Sequence, residues 1–171
     1  MHRLVQLTMH MWLETHGQVE QWKEKFIGSL CQEFPTGEYE NWEKCRLLFP
    51  HVKCAISQLP ESRESLLEWA ALLYRGAWYA SESGQIADVR EMALKSRKQR
   101  KKLLGVKDEE FLESTRILAK AYFLEGWLGE AERLQLQVIE TRKIMLGDDH
   151  PDTLTSMVNL AETYGAQVWV I

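Results

Sequence analysis

The sequence repeats itself at an offset of 42 residues, and this periodicity restricts the fold more than any single motif does. Shifted by that amount, Arg100-Lys101 falls on Arg142-Lys143 and Leu104-Gly105 on Leu146-Gly147. Leu112 falls on Leu154, Ser114 on Ser156, Leu118-Ala119 on Leu160-Ala161, and Tyr122 on Tyr164. A fainter copy lies upstream, where Ala77 matches Ala119, Gly84 matches Gly126 and Met92 stands in the place of Leu134. An ordered series of matches at one offset marks a duplicated structural unit.

Each unit reads as two helices. In the clearest copy the first spans about 110–125, with Leu112, Ile117, Leu118, Ala121 and Tyr122 at helical spacing. Gly126 interrupts that pattern and permits a tight turn. The second helix spans about 128–146 and is expected to bury Ala131, Leu134, Val138, Ile139 and Met145. Leu146-Gly147 ends it, with Arg142 and Lys143 where cations suit a helix C-terminus. The next helix opens at Pro151, capped by Asp149 or His150, with Asp152 in its first turn. Ala119 and Ala131 are small where two antiparallel helices must approach closely. A two-helix unit cannot bury its own apolar face and must stack on neighbours. The expected fold is therefore all-α, a helical-hairpin solenoid.

These residues also carry a family resemblance. The pattern formed by Ala119, Tyr122, Gly126, Glu130 and Ala131 resembles a tetratricopeptide repeat. The period is longer than the usual length of about 34 residues. The phrases TRKIMLGDDHPDTL and SMVNLAETY resemble the repeats of kinesin light chains. They resemble more closely the tetratricopeptide arrays of large fungal STAND proteins, which place such repeats after a nucleotide-binding NB-ARC module. The resemblance covers roughly residues 66–165 and implies that the solenoid is right-handed. Ser81, Val89 and Asp108-Glu109-Glu110 depart from the family pattern, which implies less regular packing there.

Upstream, helices are expected near 2–16, 17–33 and 39–58, with Phe34-Pro35-Thr36-Gly37 as the strong break. Val19, Trp22, Phe26 and Leu30 form an amphipathic stripe. The opening Met1-His2-Arg3-Leu4-Val5-Gln6 resembles the end of the winged-helix module of the same fungal proteins, where a histidine senses the nucleotide phosphate. Arg3 departs from the aspartate of that motif, and the chain contains no G-x-x-x-x-G-K-[ST] loop, so His2 is expected to be an idle remnant. PTGEYENWEKCRLLFPHVK and SLLEWAALLYRGAWYA resemble the segment that joins module and repeats. The expected division is a helical linker over 1–60, then 61–171 as repeats, about two full units and the first helix of a third.

Composition and residue chemistry exclude several functions. Apolar residues make up 45% and charged residues 27%, enough for a packed core, and the net charge of −4 gives no general attraction to nucleic acid or anionic lipid. No apolar run approaches the length of a membrane span, so no membrane role and a cytoplasmic location are expected. Cys31, Cys45 and Cys54 fit neither a metal knuckle nor a disulfide framework. His2, His10, His16, His51 and His150 form no H-x-x-x-H pair, so no metal and no cofactor are expected. No G-x-S-x-G turn or other nucleophile motif occurs, and no catalytic residue is assigned. The basic run over 95–102 reads as a solvated helix end, its alternatives being an address or a nucleic-acid patch without interleaved aromatics.

The resemblance implies a peptide or protein ligand on the concave face, lined by the first helix of each unit. Carried over by position, Tyr74 and Trp78 line it in the first unit, although both can equally pack between helices. Arg116, Lys120 and Phe123 line it in the second, and Val158, Asn159 and Glu162 in the third. Arg116 and Lys120, one turn apart, suit an acidic or C-terminal carboxylate, with Trp78 or Phe123 packing an apolar side chain. The expected role is a non-catalytic interaction scaffold, the ligand-sensing portion of a STAND-type protein. The alternatives are a gene fragment without independent function, a kinesin-light-chain-like cargo adaptor, for which no sustained heptad is present, and a nucleic-acid binder through 95–102. After Gly165 the family continues with a turn and a second helix, whereas here Ala166-Gln167-Val168-Trp169-Val170-Ile171 follows. The stripe Leu154, Met157, Val158, Leu160 and Ala161 is thus expected to be uncovered on one side, with Trp169 and Ile171 folding onto it or joining copies into a homo-oligomer.

Overall fold

The computed structural model describes residue 8 and residues 11–168, and among these every regular element is helical. Residues 11–15 are helical. Then come α1 (Val19–Glu33), a 3₁₀ turn (Tyr39–Asn41), α2 (Trp42–Ala55), α3 (Arg63–Glu82), α4 (Ile86–Leu103), α5 (Glu109–Leu124), α6 (Leu128–Leu146) and α7 (Pro151–Val168). From α3 onward each helix packs chiefly on the next, α3 on α4 through α6 on α7, the sequential stacking of a hairpin solenoid. The resemblance to winged-helix residues and the role assigned to His2 fall on Met1–Gln6, outside the described residues, as do His10, Trp169 and Ile171.

The period is written into the backbone. Gly84 and Gly126 turn the chain between paired helices with φ of 77° and 79°, and Gly105 and Gly147 end the second helices with φ of 94° and 95°. This left-handed region is one that glycine enters without a Cβ penalty. Helix starts are capped in turn. Ser62 Oγ accepts from the Ser65 amide, Asp108 accepts from the Glu110 amide, and His150 Nδ1 accepts from the Asp152 amide.

Ser81 and Val89 are buried and α3 packs on α4 as a regular hairpin, so the irregularity implied by the departures from the family pattern does not occur. Asp108 departs from the pattern because it is the cap of α5.

One apolar core runs from Ile27 on α1 through Leu72 and Leu73 on α3 to Leu134 on α6, crossing the expected boundary near residue 60. The N-terminal helices join it through side chains of α3 that satisfy their carbonyl ends. Arg75 donates to the carbonyls of Phe34 at 2.6 Å and Cys31 at 2.7 Å, and Trp69 Nε1 donates to the Ala55 carbonyl at 2.7 Å. Gly37 is pressed against the backbone of α3 at Trp78 and Tyr79.

Four local expectations are corrected. Trp22 is half exposed, because α1 turns Ile27 and Leu30 toward α3 and leaves the Trp22 edge of the stripe at the margin. Met145 is exposed, since the last turn of α6 extends beyond the helices that cover Val138. α2 ends at Ala55 rather than 58 and carries Pro50 inside it, on an exposed face where the unpartnered Arg46 carbonyl can meet water. Finally, α7 continues through Gly165 to Val168. At the 42-residue offset Gly165 corresponds to Phe123 within a helix, and the turn glycine Gly126 corresponds to Val168.

Candidate functional site

Successive first helices α5 and α7, with α6 between them, leave a cleft of about 220 Å³. It gathers Arg116, Lys120 and Phe123 from α5 and Asn159 and Glu162 from α7. Helical spacing on α5 places the first three on one face, and the repeat offset places Glu162 in the third unit where Lys120 stands in the second. Leu124 and Gln135 complete the lining, and sequence reasoning singled out neither.

Tyr74 and Trp78 do not line this cleft. Both are partly buried against the core of α3, with their ring centroids 6.3 Å apart. The Tyr74 ring lies under the Arg100 guanidinium at 4.9 Å, and its hydroxyl donates to Glu113 Oε2 at 3.0 Å. Val158, 58% exposed, and Leu154, 47% exposed, lie on α7 outside this cleft.

The cations of the cleft are already paired. Arg116 donates to Glu113 Oε2 through Nε at 3.0 Å and Nη2 at 2.8 Å. Lys120 Nζ lies 2.8 Å from Glu82 Oε1. The Lys120 pair is exposed on both sides and contributes little, so a ligand anion can displace Glu82. The Arg116 pair is different, because Glu113 also accepts from Arg142 Nη2 at 2.5 Å and from Tyr74. Burial alone raises the Glu113 carboxyl, but hydrogen bonds and charge from Arg116, Arg142 and Tyr74 hold it at about 2. Burial, then the adjacent Glu113 charge, pushes the Tyr74 hydroxyl up to about 12. The expected open pair of cations is thus a closed network in which only Lys120 is readily available.

Arg142 anchors this network and is itself buried. Nη1 donates to Ser156 Oγ at 2.9 Å and to the Asp152 carbonyl at 3.2 Å, while Nη2 binds Glu109 and Glu113. One repeat earlier, Arg100 Nη1 donates to Ser114 Oγ at 2.8 Å and to the Glu110 carbonyl at 2.9 Å. The Arg and Ser matches at the repeat offset were the visible signal, although a helix-end arginine reads as solvated.

The run 95–102 is corrected for the same reason. Ser96 and Arg100 are buried, and Arg97 packs over the Phe111 ring at 5.1 Å while donating to Thr115 Oγ1. Lys98, Lys101 and Lys102 are exposed, so the run presents separated cations rather than a continuous patch.

Among the described residues no group of three or more His, Cys, Asp or Glu is arranged to hold a metal ion, and no helix is long and apolar enough to cross a membrane.

Residues 112–152 match the family model of the tetratricopeptide repeat. Over 159 residues, 91% of this chain, the sequence is 34% identical to a nucleotide-binding leucine-rich repeat (NLR)-like protein of Hyaloscypha variabilis. The chain spans 12% of that relative's length. Its fold is similar to crystal structures of the nearly identical TPR-like repeats of a kinesin light chain from Podosopora anserina. One superposes with a TM-score of 0.54 at 20% identity, covering 95% of this chain and 84% of the other. A second superposes with a TM-score of 0.53 at 20% identity, covering 95% and 85%. Residues 112–152 therefore carry a tetratricopeptide repeat, the chain has the fold of a helical solenoid of TPR-like repeats, and it is similar along nearly its whole length to part of a fungal NLR-like protein.

Proposed function

We propose that this chain is a non-catalytic interaction scaffold that receives a peptide or protein segment in the cleft between α5 and α7. The observation that carries this reading is the convergence there of an apolar ring, Phe123, with polar and charged groups from two repeats: Lys120, Asn159 and Glu162. Concave, mixed-polarity clefts on a rigid scaffold suit recognition of an extended segment, whose side chains the apolar and polar groups sort. Similarity to an NLR-like protein supports a ligand-sensing role, in which occupancy of the repeats is passed to a nucleotide-binding module elsewhere in a longer protein. Three unpaired thiols support a reducing, cytoplasmic setting.

Selection of a displayed random-peptide library on the purified chain tests the reading. Enriched peptides are expected to lose about tenfold or more in affinity on Phe123→Ala or Lys120→Glu. Both side chains lie at the cleft, and unchanged thermal melting shows that the fold is kept. Peptides that bind both variants as tightly as the parent chain place binding elsewhere and overturn the reading.

A further inference from the structure

Gln135 is 7% exposed, and its Oε1 has no hydrogen-bond partner within the chain. Its Nε2 donates to the Asn159 carbonyl at 3.2 Å, which fixes the orientation of the amide, since an oxygen turned toward that carbonyl would meet only lone pairs. The unpartnered atom is therefore an acceptor. Gln135 lines the cleft, and together with Arg116, Val138, Ser156 and Asn159 it also lines a recess of about 10 Å³ beside it, the room of one small polar group.

We propose that this position is a subsite for a primary carboxamide, the end of an asparagine or glutamine side chain of the bound segment. The inference rests on the reading of the cleft as a peptide site and names what the cleft selects. A ligand carboxamide donates its N–H to Gln135 Oε1 and exchanges donor for acceptor with the Asn159 side chain, while its methylenes rest on Phe123 and Leu124. A carboxylate has no proton to offer Gln135 Oε1 and leaves that buried acceptor unsatisfied. It also gains less from Arg116 than charge alone suggests, because Glu113 already occupies that guanidinium. An ammonium can donate, but to reach Gln135 Oε1 it must shed its hydration beside the cations Arg116 and Lys120, which offset the attraction of Glu162.

Three probes of similar length separate these cases: butyramide and butyrate, which share one shape, and butylammonium, titrated into the isotopically labelled chain and followed by amide and side-chain NMR. Butyramide is expected to shift the side-chain NH₂ signals of Gln135 and Asn159 and to bind about tenfold tighter than the other two. Gln135→Met, which keeps the length of the side chain and removes the acceptor, is expected to abolish that preference. Equal or tighter binding of butyrate or butylammonium overturns the proposal, as does an absence of shifts at Gln135 with butyramide. The parent-chain comparison decides even where the variant fails to fold. The two readings fail separately. Library peptides that seat an Asp or Glu at Gln135 remove the carboxamide subsite and leave the peptide cleft, whereas peptides insensitive to Phe123→Ala and Lys120→Glu remove the peptide cleft itself.

Discussion

Arg142 Nη1 donates to Ser156 Oγ at 2.9 Å, and one repeat earlier Arg100 Nη1 donates to Ser114 Oγ at 2.8 Å. Each pair joins the second helix of one repeat to the first helix of the next, and each arginine is buried. Truncating Arg142 leaves Glu109 and Glu113 facing each other without their shared cation, which is the costly way to break a buried charge network. Arg142→Met is expected to lower stability by about 3 kcal/mol in urea denaturation. Ser156→Ala, which removes one neutral partner, is expected to cost about 1 kcal/mol. Arg142→Lys should rescue little, because one ammonium cannot span two carboxylates and a serine at once. A value for Arg142→Met within experimental error of the parent would sink the account.

Acid should act through Glu113. Its carboxyl is held at about 2 against an ordinary 4.5, so its folded-state affinity for protons is depressed. The stability it contributes is present above pH 4.5 and is lost as pH falls through about 2. Glu113→Gln should therefore be less stable than the parent at neutral pH, and the gap should close across that acid window. A gap that is constant with pH would show that the carboxylate charge is not what the network uses.

Alkali should act through Tyr74. The raised hydroxyl, about 12 against an ordinary 10, contributes stability that is complete below pH 10 and lost as pH rises through about 12. Tyr74→Phe is expected to flatten the alkaline fall in melting temperature while costing about 1 kcal/mol at neutral pH for the bond to Glu113. An identical alkaline slope in parent and variant would contradict this assignment.

Two glycines should respond unequally to alanine. At Gly126 a Cβ meets nothing within 4 Å, and only the positive φ opposes it, a cost of about 1 kcal/mol. At Gly37 a Cβ would lie 2.7 Å from the Tyr79 amide nitrogen and 2.8 Å from Trp78 Cγ. Relief requires the 34–37 segment to part from α3, a cost of about 3 kcal/mol, with a change in Trp78 emission. Paired thermal melts check the order, and Gly126→Ala proving the worse of the two would refute it.

The sequence was most informative where the determinants are local. Gly126 and Gly147 set the ends of α6 through backbone conformations encoded at single positions, so that helix was readable to within a residue. Trp22 and Met145 misled because a helical stripe specifies a face but not how far the neighbouring helix reaches to cover it. The burial of Arg100 depends on Ser114 and Tyr74, which come from two other helices. Arg116, Lys120, Phe123, Asn159 and Glu162, assigned by the family resemblance to the first helices of two units, line one cleft. The resemblance did not reach their ionic partners. Glu82 lies on α3, and although Glu113 stands one turn from Arg116, its links to Arg142 and Tyr74 cross helices.

The two arginine–serine contacts have a mechanical consequence. Sliding α7 along α6 by one turn, about 5.4 Å, would carry Ser156 out of reach of Arg142 and leave its buried Nη1 without that acceptor, while Nη2 stays held by Glu109 and Glu113. Neighbouring repeats are thus keyed in phase, as two shafts are by a pin, and the pitch of the array is fixed at each joint. Apolar residues between the helices can exchange for others of similar volume while the keyed joints preserve the curvature of the concave wall.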